Sequence, residues 1–496
     1  MMSKQTYILH PISAIINFLK GLKELIIPIA IIVLTRIFNK SDELNFWTEL
    51  LPIIIIGVPV IFYLLFGITK WATFRYWFEE DELRVEYGLF VKKKRYIPFE
   101  RVQSLNYREG IFHQLFGLVQ VMVETAGSTN GKPEVELTAI TKDAAKRIEE
   151  EMENAKSSQI ERELKNADVN KEIVSDSKGK VIHKMSNRDL IVLATTSNSI
   201  GVVLAGIAAI LGQFSEYIPY DLVFEEIRVF VQFGVLIVIF ILIVGLLIAW
   251  LLSIALTFLS YYGFSVSEES GKLIVTKGML EKKKVTIPLN RVQAIKIVEN
   301  PLRQLFGYAS VVVESAGGAV GERDKKMTLL PLIKKKQLAP ILNELFPQFQ
   351  LELDLHRPPS NAKAFFYRLY FLWVVPLIGL CSYFYYPLGL FSILLVIPVI
   401  LFGIWQFHTT GYGICENQLT IVYRNISRIT FLVEKKRIQV AERKQSYFQK
   451  RRNLASIQTT VMSGMTGATA KATHLSINDA NVILDWFENK ENIKSN

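Results

Sequence analysis

At 496 residues, half of them hydrophobic, the chain has room for several domains and carries more apolar side chains than soluble cores require. Two cysteines, Cys381 and Cys415, exclude a disulfide-framed scaffold. A formal net charge of +11 raises nucleic acid as a partner, but the apolar residues are bunched into blocks, and the placement of charge around those blocks accounts for the sign.

In chain order, the first apolar block covers residues 12–38 and includes Lys20, Lys23 and Glu24. A full crossing is therefore expected only for 25–38, with the earlier part lying amphipathically in the interface. A secretory signal is disfavoured, because no small-residue cleavage site follows and a second block comes soon after. That block, 50–69, has no formal charge, and a hydrocarbon core about 30 Å thick needs roughly 20 such residues in helix. Next, "DELRVEYGLFVKKKRYIPFERVQSLNYRE" alternates apolar with polar, with turn signals at Gly88 and Pro98. "VQVMVETAG" and "EVELTAI" predict two more strands joined by a glycine-bearing loop. The period then changes to that of a helix, with Thr141 placed as its N-cap. Residues 155–188 read as a charged linker, partly helical and without a core. Blocks 190–214 and 229–267 supply a second hairpin, the latter running into the strand-like "TFLSYYGFSV". Block 369–408 contains "SYFYYP" near its middle and divides into two spans joined by a tight turn.

The polar segments repeat. "IPFERVQSLNYREGIFHQLFG" begins at Ile97 and "IPLNRVQAIKIVENPLRQLFG" at Ile287; extended over 31 positions, the two share 15 identities without a gap. A third copy is more divergent: "EKKRIQVAERK", "ASIQTTVMSG", "ATHLSI", then the helix "NDANVILDWFENK". Each copy reads as a bent antiparallel sheet followed by one helix, the layout of a pleckstrin-homology-like barrel.

Topology follows from Lys and Arg, which resist translocation. The loops 39–49, 213–226 and 382–387 sum to −6 and leave +17 for the remainder; counting Arg36 and Arg228 with the loops gives −4 and +15. The hairpin tips are expected outside, with both termini and all large segments cytoplasmic.

The fold expected is thus an α+β membrane protein with six transmembrane helices in three hairpins, each followed by a cytoplasmic barrel closed by a C-terminal helix. Its segments are a hairpin at 1–75, a domain at 76–154, the linker at 155–188, a hairpin at 189–260, a domain at 261–350, a linker at 351–364, a hairpin at 365–408 and a divergent domain at 409–490.

The paired spans, the "IP..RVQ" strand, the "QLFG" turn and the "V.VE.AG" strand resemble the bacterial PH-like membrane family, the bPH2 or DUF304 group, and in particular its three-domain members from Bacilli. The likeness covers nearly the whole chain. It weakens in the third copy, where Lys450-Arg451-Arg452-Asn453 replaces Gln-Leu-Phe-Gly and the proline before the strand is missing. The resemblance implies a PH-like fold, a bacterial cell membrane and no established enzyme activity. It also implies a smaller one-domain membrane protein of the same family as partner, and an association of some members with resistance to membrane-active peptides or bacteriocins.

Within each "RVQ", alternation along a strand would put Arg101 and Gln103 on one face and Val102 in the core, and likewise Arg291 with Gln293 and Arg437 with Gln439. An Arg fork beside an amide suits a lipid phosphate or a carboxylate; the bland alternative is a tie to a neighbouring segment. Lys92, Lys93 and Lys94, and Lys282, Lys283 and Lys284, occupy matching positions and would either meet anionic lipid headgroups or guard a solvated strand edge. Phe116 and Phe306 of the "QLFG" turns are expected to pack into their own domains. The six histidines look scattered, and an isolated histidine is usually structural.

No cofactor is expected: "GSTNGKP" has the wrong spacing for a phosphate loop, and no HExxH, GxSxG or metal-spaced Cys/His pair occurs. Spans nearly free of ionisable residues argue against ion-coupled transport. The function expected is non-enzymatic: three modules displayed on the cytoplasmic leaflet as an envelope scaffold or protective factor against membrane-active peptides. The rivals are a subunit of a peptide or lipid exporter and an assembly partner of another membrane protein.

Overall fold

The structure is a computed structural model, and it describes residues 6–38, 46–89, 91–125, 133–167, 179–197, 201, 204–205, 235–316, 327–463 and 467–488. They divide into two compact units, one running to Thr286 and the other starting at Ile287.

The first unit holds β1 (Tyr7–Ile8), β2 (Arg75–Glu79), β3 (Glu82–Tyr87), β4 (Lys93–Pro98), β5 (Val102–Glu109), β6 (Leu118–Thr125), β7 (Val135–Thr141), β8 (Lys180–Lys184), β9 (Ser265–Glu269), β10 (Lys272–Lys277) and the start of β11 (Lys282–Pro288). Side-chain alternation sets the faces. In β3, Leu83 and Val85 point inward, whereas β6, covered on both faces, buries every residue up to its last. Strands β1 to β4 form one sheet, and β5 to β7 belong to a second. Leu83, Val85 and Ile97 of the first sheet meet Leu105, Val121, Val123 and Leu137 of the second. Helix Lys142–Ala167 closes this core with Ala145, Ile148 and Met152. Its N-cap is the expected one: Thr141 Oγ1 accepts from Ala144 N at 3.2 Å.

The second unit repeats this plan with β12 (Val292–Glu299), β13 (Tyr308–Ser315), β14 (Met327–Lys334), β15 (Gly411–Cys415), β16 (Gln418–Arg424), β17 (Arg428–Glu434), β18 (Ile438–Lys444), β19 (Leu454–Val461) and β20 (Ala468–Ser476). Leu419, Ile421 and Phe431 meet Ile457, Ala470 and Leu475, and helix Ile477–Glu488 adds Ala480 and Ile483.

The sheets do not close into one barrel per repeat, contrary to the sequence expectation. The strand order is β7-β6-β5-β11-β10-β9-β8 in the first unit and β14-β13-β12-β17-β16-β15 in the second. Strands from the next copy therefore extend the sheet begun by the previous one. The cause is local. A 3-10 turn, Phe99–Arg101, separates β4 from β5, and a bulge between Val102 and Ser104 breaks the ladder where β5 begins. This leaves the outer edge of β5 with unpaired backbone groups, and β11 satisfies them through Lys282↔Glu109, Lys283↔Arg108 and Lys284↔Tyr107. In the second unit, β17 does the same for β12, from Ala294↔Val433 to Glu299↔Arg428.

Four helical stretches among the described residues are long and apolar enough to cross a membrane: Ile54–Thr73, Ile243–Tyr261, Ser360–Phe384 and Leu388–Thr409. The last two form the hairpin expected from block 369–408, turning at Tyr385 to Pro387. They touch closely at Gly403, where an added Cβ would lie 2.6 Å from Tyr367 Cβ. Most of block 190–214 and the loop 213–226 lie outside the described residues, as does most of loop 39–49. Helix Ile12–Phe38 is continuous, and its beginning packs on the first module. Ile12 and Ile16 are buried against Leu118 and Ala139 of the first module, and beside them Lys20 pairs with Glu136 at 2.6 Å. The charged linker is likewise shorter than expected: helix Lys142–Ala167 takes its first part and β8 its last, paired with β9.

Candidate functional site

One turn of helix joins β5 to β6, β12 to β13 and β18 to β19: Ile111–Leu115, Pro301–Leu305 and Tyr447–Lys450. Each is preceded by an extended residue (Gly110, Asn300 or Ser446) and ends at a residue with positive φ: Gly117 at 64°, Gly307 at 70° and Asn453 at 55°. A buried polar side chain anchors each turn to the last strand of its module. His113 Nε2 bonds Thr138 O at 2.8 Å; Arg303 donates to Ser310 Oγ and Pro331 O; Gln449 Nε2 bonds Ser456 Oγ and His474 Nδ1, both at 2.9 Å. The anchor uses the inward direction, so the neighbouring apolar residues must face out. Leu115 and Phe116 are 72% and 57% exposed, and Leu305 and Phe306 79% and 63%. This overturns the expectation that Phe116 and Phe306 are core: one helical turn has no second inward face to offer them.

Both apolar tips sit at the end of an apolar helix. In the first unit, Gln114 Nε2 donates to Met279 O and Leu280 O at 3.1 and 3.3 Å, while Met279 N and Gly278 N bond Leu259 O and Tyr262 O at the end of helix Val235–Tyr261. Met279 and Leu280 are themselves exposed. In the second unit, Gln304 Oε1 accepts from Arg424 Nη2 at 2.8 Å, and Arg424 O accepts from Gln406 Nε2 at 2.9 Å, on helix Val396–Thr409. Arg424 also lies 3.7 Å over the Trp405 ring, and the adjacent Ile426 is exposed. Exposed Leu, Phe, Met and Ile thus gather where a lipid-length apolar helix ends. In the third copy, Lys450, Arg451 and Arg452 take this place and are exposed.

The arginine and glutamine positions lie elsewhere. Arg101, Arg291 and Arg437 occupy the 3-10 turns, not strands, so the two-residue alternation that would align them with Gln103, Gln293 and Gln439 does not apply. Val102, Val292 and Ile438 are buried as expected. Arg101 is exposed, and Gln103 borders a crevice lined by Glu149, Glu153 and Glu269 against a single Lys272, an acidic excess that opposes a phosphate. Arg291 donates to Ala316 O at 3.2 Å, and Gln293 is buried and donates to Arg291 O at 3.0 Å. Arg437 donates to Asn290 O at 2.8 Å, while Gln439 is exposed.

The two basic runs also differ. Lys92 and Lys94 are exposed and each lies 3.8 Å from Glu86; Lys93 and Lys94 are part of β4, at the edge of its sheet. Lys282, Lys283 and Lys284 are inside a sheet, paired with β5, and Lys284 lies 3.6 Å from Glu149 and over the Tyr107 ring.

Three of the histidines are not scattered. His10, His183 and His356 each stand just before a hairpin, where β1 pairs with β2, β8 with β9, and His356 bridges Tyr412. The spacing of 173 residues between successive members, with a serine three or four positions later, was the available signal.

Among the described residues no cluster of His, Cys, Asp or Glu could hold a metal, and Cys381 and Cys415 are free thiols.

A family model described as the bacterial PH domain matches the chain three times, over residues 24–156, 235–348 and 370–491. The chain is also similar to the "UPF0699 transmembrane protein YdbT" of Bacillus subtilis (strain 168), 35% identical over 490 residues that cover 97% of each chain. With its apolar hairpins and its thrice-repeated strand, tip and helix order, this chain belongs to the bacterial PH domain (bPH_2) family, as a transmembrane protein of three tandem modules.

Proposed function

We propose that the chain is a non-enzymatic scaffold of the bacterial envelope, with its modules and both termini on the cytoplasmic side, and that it protects the membrane against membrane-active peptides. The observation that carries this reading is the recurrence, at two hairpins, of an exposed apolar tip bonded to a strand-to-strand turn that itself bonds the end of a spanning helix. An exposed Leu-Phe pair is costly in water and useful at a bilayer surface. Weak contacts of several tethered modules add through effective concentration, so the chain can hold a patch of leaflet that no single module would hold. The excess of Lys and Arg on the segments flanking the spans supports the cytoplasmic orientation.

The test is a strain lacking the chain, complemented with wild type or with a variant carrying serine at Leu115, Phe116, Leu305 and Phe306. Challenged with a panel of envelope-active peptides, the variant is expected to lose protection at unchanged membrane abundance. Wild-type protection by the variant would refute the contact role, and an impermeant thiol reagent that labels a cysteine placed in a module of intact cells would refute the orientation.

A further inference from the structure

A groove with a volume of about 1000 Å³ lies between helix Lys363–Phe384 and the third module. One wall is a single helical stripe, Phe365, Leu369, Leu372 and Pro376, whose spacing of four, three and four residues keeps it on one face. At 1.5 Å per residue the stripe rises about 16 Å, roughly the depth of one leaflet's hydrocarbon. The mouth of the groove is cationic. Arg368, Lys444 and Lys471 line it, and no carboxylate does. Glu442 pairs with Lys444 at 3.0 Å and does not line the groove. Arg368 lies over the Phe448 ring at 4.3 Å, which fixes its guanidinium at the junction of the apolar and polar walls.

Comparison with the other two copies shows which residues changed. In them, the last residue of β5 and of β12 is a glutamate, and it pairs with the lysine that opens the closing helix: Glu109 with Lys142 at 3.0 Å, Glu299 with Lys335 at 2.5 Å. The third copy has Gln445 and Ile477 at these places, and Gln445 lines the groove, its amide donating to Leu454 O at 2.8 Å. The copy that exchanged its apolar tip for Lys450, Arg451 and Arg452 thus also has a neutral amide on the groove where the other two have a carboxylate.

We infer that this groove holds one anionic phospholipid, its phosphate on Arg368, Lys444 and Lys471 and an acyl chain along the Phe365 to Pro376 stripe. The inference rests on the reading above only in placing the third module against a bilayer. A zwitterionic lipid brings its own cation to the mouth and is disfavoured there; a water-soluble phosphate satisfies the mouth and leaves the stripe uncovered.

The test uses the full chain purified in mild detergent with equimolar phosphatidylglycerol and phosphatidylcholine, and counts retained lipid by native mass spectrometry. One phosphatidylglycerol per chain is expected, with retention falling about tenfold or more in Lys444→Gln/Lys471→Gln. Both lysines are exposed, so the variant is expected to fold; Leu372→Trp, which fills the stripe, should displace the lipid independently. Equal retention of phosphatidylcholine, or unchanged retention in both variants, would overturn the site. Displacement by millimolar glycerol phosphate would assign a soluble phosphate instead and overturn the lipid. The serine-tip variant should retain phosphatidylglycerol, so loss of tip contact and loss of this site are read separately.

Discussion

Lys296 Nζ lies 2.6 Å from Glu314 Oε1 between neighbouring strands β12 and β13, with the two side chains only 9% and 1% exposed. Ser463 donates to the other carboxylate oxygen, and the ammonium also stands over the Phe431 ring. In the first module the same carboxylate, Glu124, is held by neutral donors, Ser104 Oγ at 2.7 Å and Asn106 Nδ2 at 2.8 Å. The acid is retained between these two copies while its partner changes, which marks a buried charge that must be satisfied and does not prescribe by what.

Removing one partner should therefore cost more than removing both. Lys296→Met is expected to destabilise the second unit by about 3–5 kcal/mol, by leaving a carboxylate without its counter-ion, and Lys296→Met/Glu314→Leu should recover most of that loss. Thermal unfolding of the detergent-purified chain checks this; a double variant less stable than the single would count against it.

The tips should be dispensable for folding and necessary for surface contact. Phe116→Ser and Phe306→Ser remove exposed side chains, so stability should change by less than about 0.5 kcal/mol. A spin label at position 116 should report more contact with oxygen than with a water-soluble relaxer in reconstituted vesicles; the reverse ratio would place the tip in water.

The pairing of β11 with β5 implies that the second copy's strands support the first copy's sheet. Lys283 stands opposite Arg108 at the middle of the pairing between β11 and β5, and Arg108 also contacts Glu281. Lys283→Pro removes a ladder hydrogen bond and should cost about 3 kcal/mol or more. Hydrogen exchange should show faster opening at Tyr107 and Arg108 as well as in β11. Acceleration confined to β11 would show that the two copies fold independently.

Gly403 permits the close approach of helices Lys363–Phe384 and Val396–Thr409, which Tyr370 Oη reinforces by donating to Gln406 Oε1 at 3.2 Å. In Gly403→Ala the new methyl meets backbone as well as side-chain atoms of Tyr367 and should cost about 1–3 kcal/mol. Gly403→Leu should separate the helices enough to abolish a disulfide engineered between them. Efficient cross-linking in the leucine variant would contradict this packing.

His474 supplies the pH dependence. Burial first, and Lys471 second, push its pKa from 6.5 down to about 4. Its neutral ring meets Gln449 and the Phe366 ring, with backbone φ at 59°. The folded state then binds the proton less well than the unfolded chain. Stability is full above pH 6.5 and falls by at most about 3 kcal/mol as pH drops towards 4. A His474→Asn variant should flatten that part of the profile; an unchanged slope would locate the titration elsewhere.

What could be read before the fold was known has a common character. Apolar blocks, the "RVQ" and "QLFG" repeats and the N-cap at Thr141 are signals carried by neighbouring residues, and they gave the repeat, the third hairpin and the succession of strands and helix along each copy. β1, only two residues long, carries no period of its own, and the histidine that precedes each hairpin was hidden by the 173-residue spacing. The direction of Phe116 was misread because its fate depends on His113 reaching Thr138, 25 residues away.

Local pattern by itself determined that this chain carries lipid-length helices and three copies of one sheet-and-helix module, because hydrophobic period and turn chemistry act over a few residues. Only the tertiary structure decided which strand completes which sheet, which aromatics are left in the open and which lysines face a groove. A strand edge offers the same N–H and C=O groups whatever its sequence, so its partner is chosen by what the rest of the chain brings within reach.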